Sequence, residues 1–183
     1  MITLDHMVEH STVSPEGAAL LRGIGGQGAS FLVYSLPRNA GKSTLTEAIL
    51  AEAPPDLLRH DFLGTEAEAA ELVSRPATGY VVVAEIGHRG RPGYLADDEV
   101  VRTFDLGRHG YALASSLHAD TVEQVYEVLA RNGVSGSAAS VVRYLIKVQP
   151  LGDPFDHRTH RVVESVHEVI GVDGDRPLLT QRY

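Results

Sequence analysis

The sequence contains no cysteine, which removes disulfide frameworks, thiolate metal sites and cysteine nucleophiles together and fits a compartment that is not oxidising. It also lacks a basic stripe. The formal net charge is −8, and no run of Lys and Arg is placed to neutralise successive phosphates of a nucleic acid or an anionic lipid surface. Nucleic acid is therefore not an expected partner. Long apolar runs are missing too. The longest, "YVVVAEI" at 80–86, is interrupted by Glu85, and the opening "MITLDHMVEH" is acidic and polar, so neither a membrane span nor a signal peptide is expected and the chain reads as cytoplasmic. No internal repeat, low-complexity tract or linker divides it.

Against these absences stands an ordinary globular composition, 43% apolar with 22% charged over 183 residues. This is enough for one domain with a substantial core. The expected organisation is a single domain over 1–183, with an N-terminal helix and connector (1–29) and a core (30–183). Ser14 and Pro15 supply an N-cap and a first helical residue, predicting a short helix to about Ile24. The following "GIGGQGAS" looks like a dinucleotide glycine fingerprint, but it precedes a strand instead of following one, and is read as a flexible connector.

From residue 30 onward, strand-like apolar runs alternate with helical patterns: "SFLVYSL", helix 41–52, "DLLRHDFL", helix 66–74, "GYVVVAEI", helix 95–107, "GYALASSL" and helix 121–131. That alternation marks an α/β fold with βαβ units and a mostly parallel central sheet. The continuously apolar "FLVYSL" and "YVVVAEI" fit central strands covered by helices on both faces. The last segments, "VVRYLIKVQPLGDP" and "HRVVESVHEVIGVDGDRPLLTQRY", alternate apolar and polar residues and predict appended antiparallel C-terminal strands.

The chemistry concentrates at "SLPRNAGKSTL". Gly41, Lys42, Ser43 and Thr44 follow a strand and open a helix, the context in which backbone N–H groups and a lysine hold phosphates while a hydroxyl binds Mg²⁺. A lysine at a helix N-terminus opposes the macrodipole unless an anion accompanies it; otherwise Gly41 is a tight turn and Lys42 a solvated residue. Leu36 stands where such a loop normally has its first glycine and does not readily take positive φ. Asn39 tolerates the left-handed region better than most residues, which predicts a reshaped loop. Glu85 ends the apolar strand at the sheet edge that faces the loop, placing it to orient or deprotonate an attacking water. Ser115, Ser116 and His118 end the next strand and are candidates to report on a γ-phosphate. Arg89 and Arg91 either stabilise phosphate charge or form a solvated basic loop. His157 and His160 lack a third ligand at metal-site spacing and are read as surface residues.

With these elements in this order the chain resembles the type II and type IV secretion ATPases, the motors of pilus assembly, pilus retraction and conjugation. The resemblance runs from about residue 28 to 183. "GASFLVYSLPRNAGKSTL" is similar to their strand and Walker A loop, "VVVAEI" to their atypical Walker B, and "HGYALASSLHAD" to their histidine box, with Gly110, Leu117 and His118 at matching positions. The closing strands look like those of the tight-adherence pilus ATPases. Several positions depart from the pattern: Leu36 and Asn39 replace loop glycines, Gly87 replaces an arginine, and Tyr111 replaces the first histidine of the box. Asp61 and Glu66 are the weak substitutes for an acidic segment, and no N-terminal covering domain precedes the core.

The resemblance implies a three-layer, RecA-like P-loop NTPase that uses ATP and Mg²⁺. Pro37, Arg38, Asn39, Ala40, Gly41, Lys42, Ser43 and Thr44 would lie around the nucleotide, Ser43 on the metal, and Glu85 and His118 in catalysis. It also implies a homo-oligomer, a hexamer in the family, and secretion or pilus components as partners. A degenerate nucleotide-binding or assembly module that does not hydrolyse ATP, and a small P-loop phosphotransferase, are the alternative functions.

Overall fold

A computed structural model describes residues 2–173 and 176–183; Gly174 and Asp175, within the segment expected to form the closing strands, lie outside the described residues. Strand β1 (Phe31–Tyr34) is buried along its whole length. Its side chains alternate between two cores: Phe31 and Val33 enter one, Leu32 and Tyr34 the other. This is the period of two expected of a strand covered on both faces. Strand β2 (Arg59–Asp61), β3 (Tyr80–Ile86), β4 (Tyr94–Leu95), β5 (Ala112–Leu117), β6 (Tyr144–Pro150), β7 (Arg161–Asp173) and β8 (Arg176–Gln181) complete the sheet. The order is β2-β3-β5-β1-β6-β7-β8, with β4 paired to β3.

Helices cover both faces. Helix α1 (Leu4–Glu9), α2 (Pro15–Gly26) and α3 (Lys42–Leu50) close over the Phe31 and Val33 side. Helix α4 (Glu66–Val73), α5 (Asp98–His109), α6 (Val122–Arg131) and the short α7 (Gly136–Ala139) close over the Leu32 and Tyr34 side. The fold is thus α/β and three-layered, with a mostly parallel central sheet and antiparallel C-terminal strands. Among the described residues no helix is long and apolar enough to cross a membrane.

Three local expectations are adjusted. Strand β6 belongs to the parallel part, pairing with β1 from Phe31↔Tyr144 to Tyr34↔Lys147, and antiparallel pairing begins only at β7. Helix α5 starts at Asp98 and not at 95, because Tyr94 and Leu95 pair with Glu85 and Ile86 of β3. The opening residues, read only as polar, form α1, capped by Thr3.

The glycine-rich stretch after Ile24 is a correction of another kind. Helix α2 continues through it to Gly26, and a Cβ on Gly25 would fall 2.2 Å from the Ile49 carbonyl oxygen of α3. Gly25 lets two helix backbones approach, and the stretch to Gly26 is helix and not a free connector. Gly25→Ala is expected to cost about 2–3 kcal/mol by overpacking, a fall in Tm of about 4–12 °C. Gly23→Ala, which meets only the Gln27 side chain at 4.0 Å, is expected to stabilise by about 0.5–1 kcal/mol. Thermal unfolding of the two variants beside the parent checks both signs.

Candidate functional site

Because β1, β3, β5 and β6 run parallel, their carboxyl ends share one sheet edge, the edge where open α/β sheets place ligands. The turn after β1 is shaped by two left-handed residues, Asn39 at φ 58° and Gly41 at φ 97°. Leu36 needs no positive φ and stands 57% exposed. The loop is therefore reshaped around asparagine, whose short side chain makes that backbone region accessible. Gly41 offers α3 no side-chain cap, so the first-turn N–H groups of the helix have no side-chain acceptor there and favour an anion.

Lys42, the first residue of α3, is only 6% exposed, and Glu85 at the end of β3 only 5%. The Lys42 Nζ lies 3.6 Å from Glu85 Oε2 and 3.3 and 3.4 Å from the two ring nitrogens of His118. Burial lowers the Lys42 ammonium below the ordinary lysine range; Glu85 opposes that shift and the charge of Arg38 adds to it. Glu85 Oε1 has His88 Nε2 and His118 Nε2 both at 3.2 Å, yet neither approach completes a hydrogen bond. Since a carbonyl only accepts, His118 Nδ1 is the donor in its 2.8 Å bond to the Leu36 oxygen. That bond places a proton on Nδ1 and leaves Nε2 facing Glu85.

These residues form the floor of an open cleft of about 1140 Å³. Arg38, Lys42, Arg89, Arg91, Arg158 and Arg161 line it, together with six of the nine histidines, and Glu85 is its one carboxylate among the described residues. A chain of net charge −8 thus places six of its sixteen Lys and Arg residues around one concavity, an arrangement that attracts anions.

Of the residues singled out from the sequence, Arg38 through Thr44, Glu85 and His118 all line this cleft, and Pro37 does not. Ser43 and Thr44 are exposed in the first turn of α3, and no protein partner occupies their hydroxyls among the described residues. Arg89 and Arg91 line the cleft, but Arg89 is drawn toward the start of α5 by Asp97 at 3.4 Å and Glu99 at 3.2 Å. Arg91 lies over the Tyr94 ring, 6.0 Å from its centroid.

Other expectations change. Ser115 and Ser116 are buried and turned inward, Ser116 donating to the Ala84 carbonyl at 2.9 Å, so of that strand end only His118 reaches the cleft. Tyr111 is a core residue whose hydroxyl donates to the Leu72 carbonyl at 2.9 Å. Asp61 pairs with Arg59 and Glu66 with Arg102, and neither lines the cleft. Gly87 takes φ 115°, a conformation that disfavours the arginine it replaces in the pattern.

Sequence reasoning missed Arg161. Its guanidinium donates to the backbone carbonyls of Asn39 at 2.9 Å, Thr159 at 2.6 Å and Pro154 at 3.0 Å. It fastens the 151–160 loop to the turn after β1. No local pattern could have announced it, because 122 residues separate it from Asn39. His157 and His160, read as surface residues, stand on the same wall of the cleft, and His160 Nε2 lies 3.1 Å from the Ser11 carbonyl oxygen. At the outer rim, His6, Glu9 and His10 bring three donor atoms within 4.8 Å of one another.

No family model and no curated protein matches the chain. Among solved structures it is similar to the VirB11 ATPase of the Brucella suis type IV secretion system, determined in complex with sulphate, at TM-score 0.62 and 16% identity, covering 90% of this chain and 54% of that one. It is also similar to the Legionella pneumophila ATPase DotB, at TM-score 0.53 and 12% identity, covering 94% and 50%. The chain spans about half the length of these two proteins. The likeness establishes a secretion ATPase-like fold.

Proposed function

We propose that this chain, built on the fold of the type IV secretion ATPases, binds Mg-ATP in the cationic cleft and hydrolyses it with Glu85 as base. The observation that carries the reading is Lys42: a buried ammonium at an uncapped helix N-terminus, 3.6 Å from a buried carboxylate on a neighbouring strand end. The phosphates take the place of Glu85 as counter-ion to Lys42 and accept from the backbone N–H groups of the loop and of the first turn of α3.

The donor set suits magnesium, since the Ser43 hydroxyl is a hard oxygen facing the cleft beside Lys42. Ser43 would hold the ion, which when bound would neutralise phosphate charge. Freed from Lys42, Glu85 accepts a proton from a water as the water oxygen bonds the γ-phosphorus. The bond to the β–γ bridging oxygen breaks, leaving ADP and phosphate. His118, anchored through Nδ1 to Leu36, stands beside Glu85 and registers the γ-phosphate by donating from Nε2 once that nitrogen carries a proton. Assembly of several copies and a secretion or pilus apparatus as partner belong to the same proposal, on the fold likeness alone.

One observation favours a second reading, binding without turnover. Glu85 is buried, Oε2 behind Lys42 and Oε1 behind His88 and His118, so a water does not reach its unpaired oxygen until a ligand rearranges these groups.

Titration calorimetry with Mg-ATP in two buffers of different ionisation enthalpy tests the shared premise. Lys42 starts with a lowered pKa and regains its proton against phosphate. Binding is therefore expected to take up a proton at alkaline pH, and affinity to fall as pH rises through the depressed lysine value. An absence of Mg-ATP binding, or binding without proton uptake across that range, would overturn the placement of phosphate on Lys42.

A further inference from the structure

We infer that the nucleoside end of the bound nucleotide lies on the opposite side of β1 from Glu85, with its base stacked on Phe155. This rests on the proposed phosphate site and extends it. In the sheet order, β5 and β3, which carry His118 and Glu85, lie on one side of β1, and β6 and β7 on the other. A γ-phosphate facing Glu85 directs the α-phosphate and sugar away from β3. Because β6 is parallel to β1, its carboxyl end and the 151–160 loop emerge at the same edge as the phosphate loop, on that far side. The cleft continues there, lined by Met7, Thr12, Val148 and Phe155.

Met7 and Val148 belong to the core there, whereas Phe155 does not. Phe31, Phe62 and Phe104 are at most 2% exposed, whereas the fourth phenylalanine, Phe155, is 71% exposed at the cleft wall. Its loop is nonetheless braced. The Phe155 N–H donates to Asp153 Oδ1 at 2.9 Å, and the Thr159 hydroxyl donates to the Asp153 carbonyl at 2.5 Å. Arg161 then ties the carbonyl of Pro154, the residue before Phe155, to the same guanidinium that holds Asn39 of the phosphate loop. An exposed aromatic ring is thereby held at a set place relative to the triphosphate end, which is the construction a stacking platform for a base requires. A single ring face accepts any base, so GTP is expected to bind as well as ATP.

The test separates the base from the phosphates by comparing Mg-ATP with inorganic tripolyphosphate. In calorimetry, Phe155→Ala is expected to weaken Mg-ATP about tenfold and to leave tripolyphosphate unchanged. The chain has no tryptophan, so Phe155→Trp introduces a unique fluorophore, expected to be quenched saturably by Mg-ATP and not by tripolyphosphate. Unchanged ATP affinity in Phe155→Ala, or equal weakening of both ligands, would overturn the stacking role, the second by showing that the ring only supports its loop. If the parent binds tripolyphosphate as tightly as ATP, the stack falls and the phosphate site stands. If it binds neither, both fall.

Discussion

Glutamine at position 85 is expected to reduce steady-state phosphate release from Mg-ATP by about 10²- to 10⁴-fold, while Mg-ATP affinity holds or rises. The substitution keeps the shape of the side chain but removes the only carboxylate that lines the cleft among the described residues, and with it the acceptor for the water proton. It also removes the anion that competes with phosphate for Lys42 at 3.6 Å, which is why affinity should not fall. Phosphate release and calorimetry on the same preparations read the two effects separately. Unchanged turnover would rule Glu85 out as the base. An absence of turnover in the parent, with binding intact, would select the binding-only reading, in which the contacts already made by Glu85 keep it from water.

The second large effect is expected at Lys42. Lys42→Ala should weaken Mg-ATP by about a hundredfold or more, the usual consequence of truncating one member of a buried charge pair. It should also destabilise the fold by about 3 kcal/mol, because Glu85 would remain buried without its cation. His88 and His118, each 3.2 Å from Glu85, keep that cost at the lower end. Combining Lys42→Ala with Glu85→Gln removes the stranded charge, so the double variant should regain most of the stability and none of the binding. Thermal unfolding and calorimetry on the four proteins form the cycle. A double variant as unstable as Lys42→Ala would show that the lysine supports the fold through its packing, not through its charge.

Which of these features were legible in advance follows the range of the interactions that set them. The turn after β1 was readable, since strand, Gly41, Lys42 and helix are contiguous and the left-handed positions fall on the residue types that accept them, Asn39 and Gly41. Leu36 misled only in suggesting that its own backbone must change. Glu85 and His118 could be ordered along the chain because apolar strands announce where they end. Their burial, and the meeting of both with Lys42, could not be seen. The paired serines before His118 show the limit: being at a strand end did not reveal that Ser116 turns inward to the Ala84 carbonyl. The glycines near Gly25 show it again, since local reading equates clustered glycine with freedom, and only the neighbouring helix shows that the space is taken.

By itself the sequence determined what depends on neighbours along the chain. Periods of two and near four placed the strands and helices, Ser14, Thr65 and Thr121 capped α2, α4 and α6, and the charge and motif of the first turn of α3 asked for an anion. Tertiary structure decided what depends on neighbours across space. It set β6 parallel to β1, drew six of the Lys and Arg residues of an acidic chain into one cleft, closed Lys42 onto Glu85 and His118, and let Arg161 brace the loop of Phe155 against Asn39. The physical reason is separation: Lys42 and His118 are 76 residues apart, and Asn39 and Arg161 are 122 apart. Contacts at that distance are fixed by strand order and register, which a local pattern of side chains does not carry.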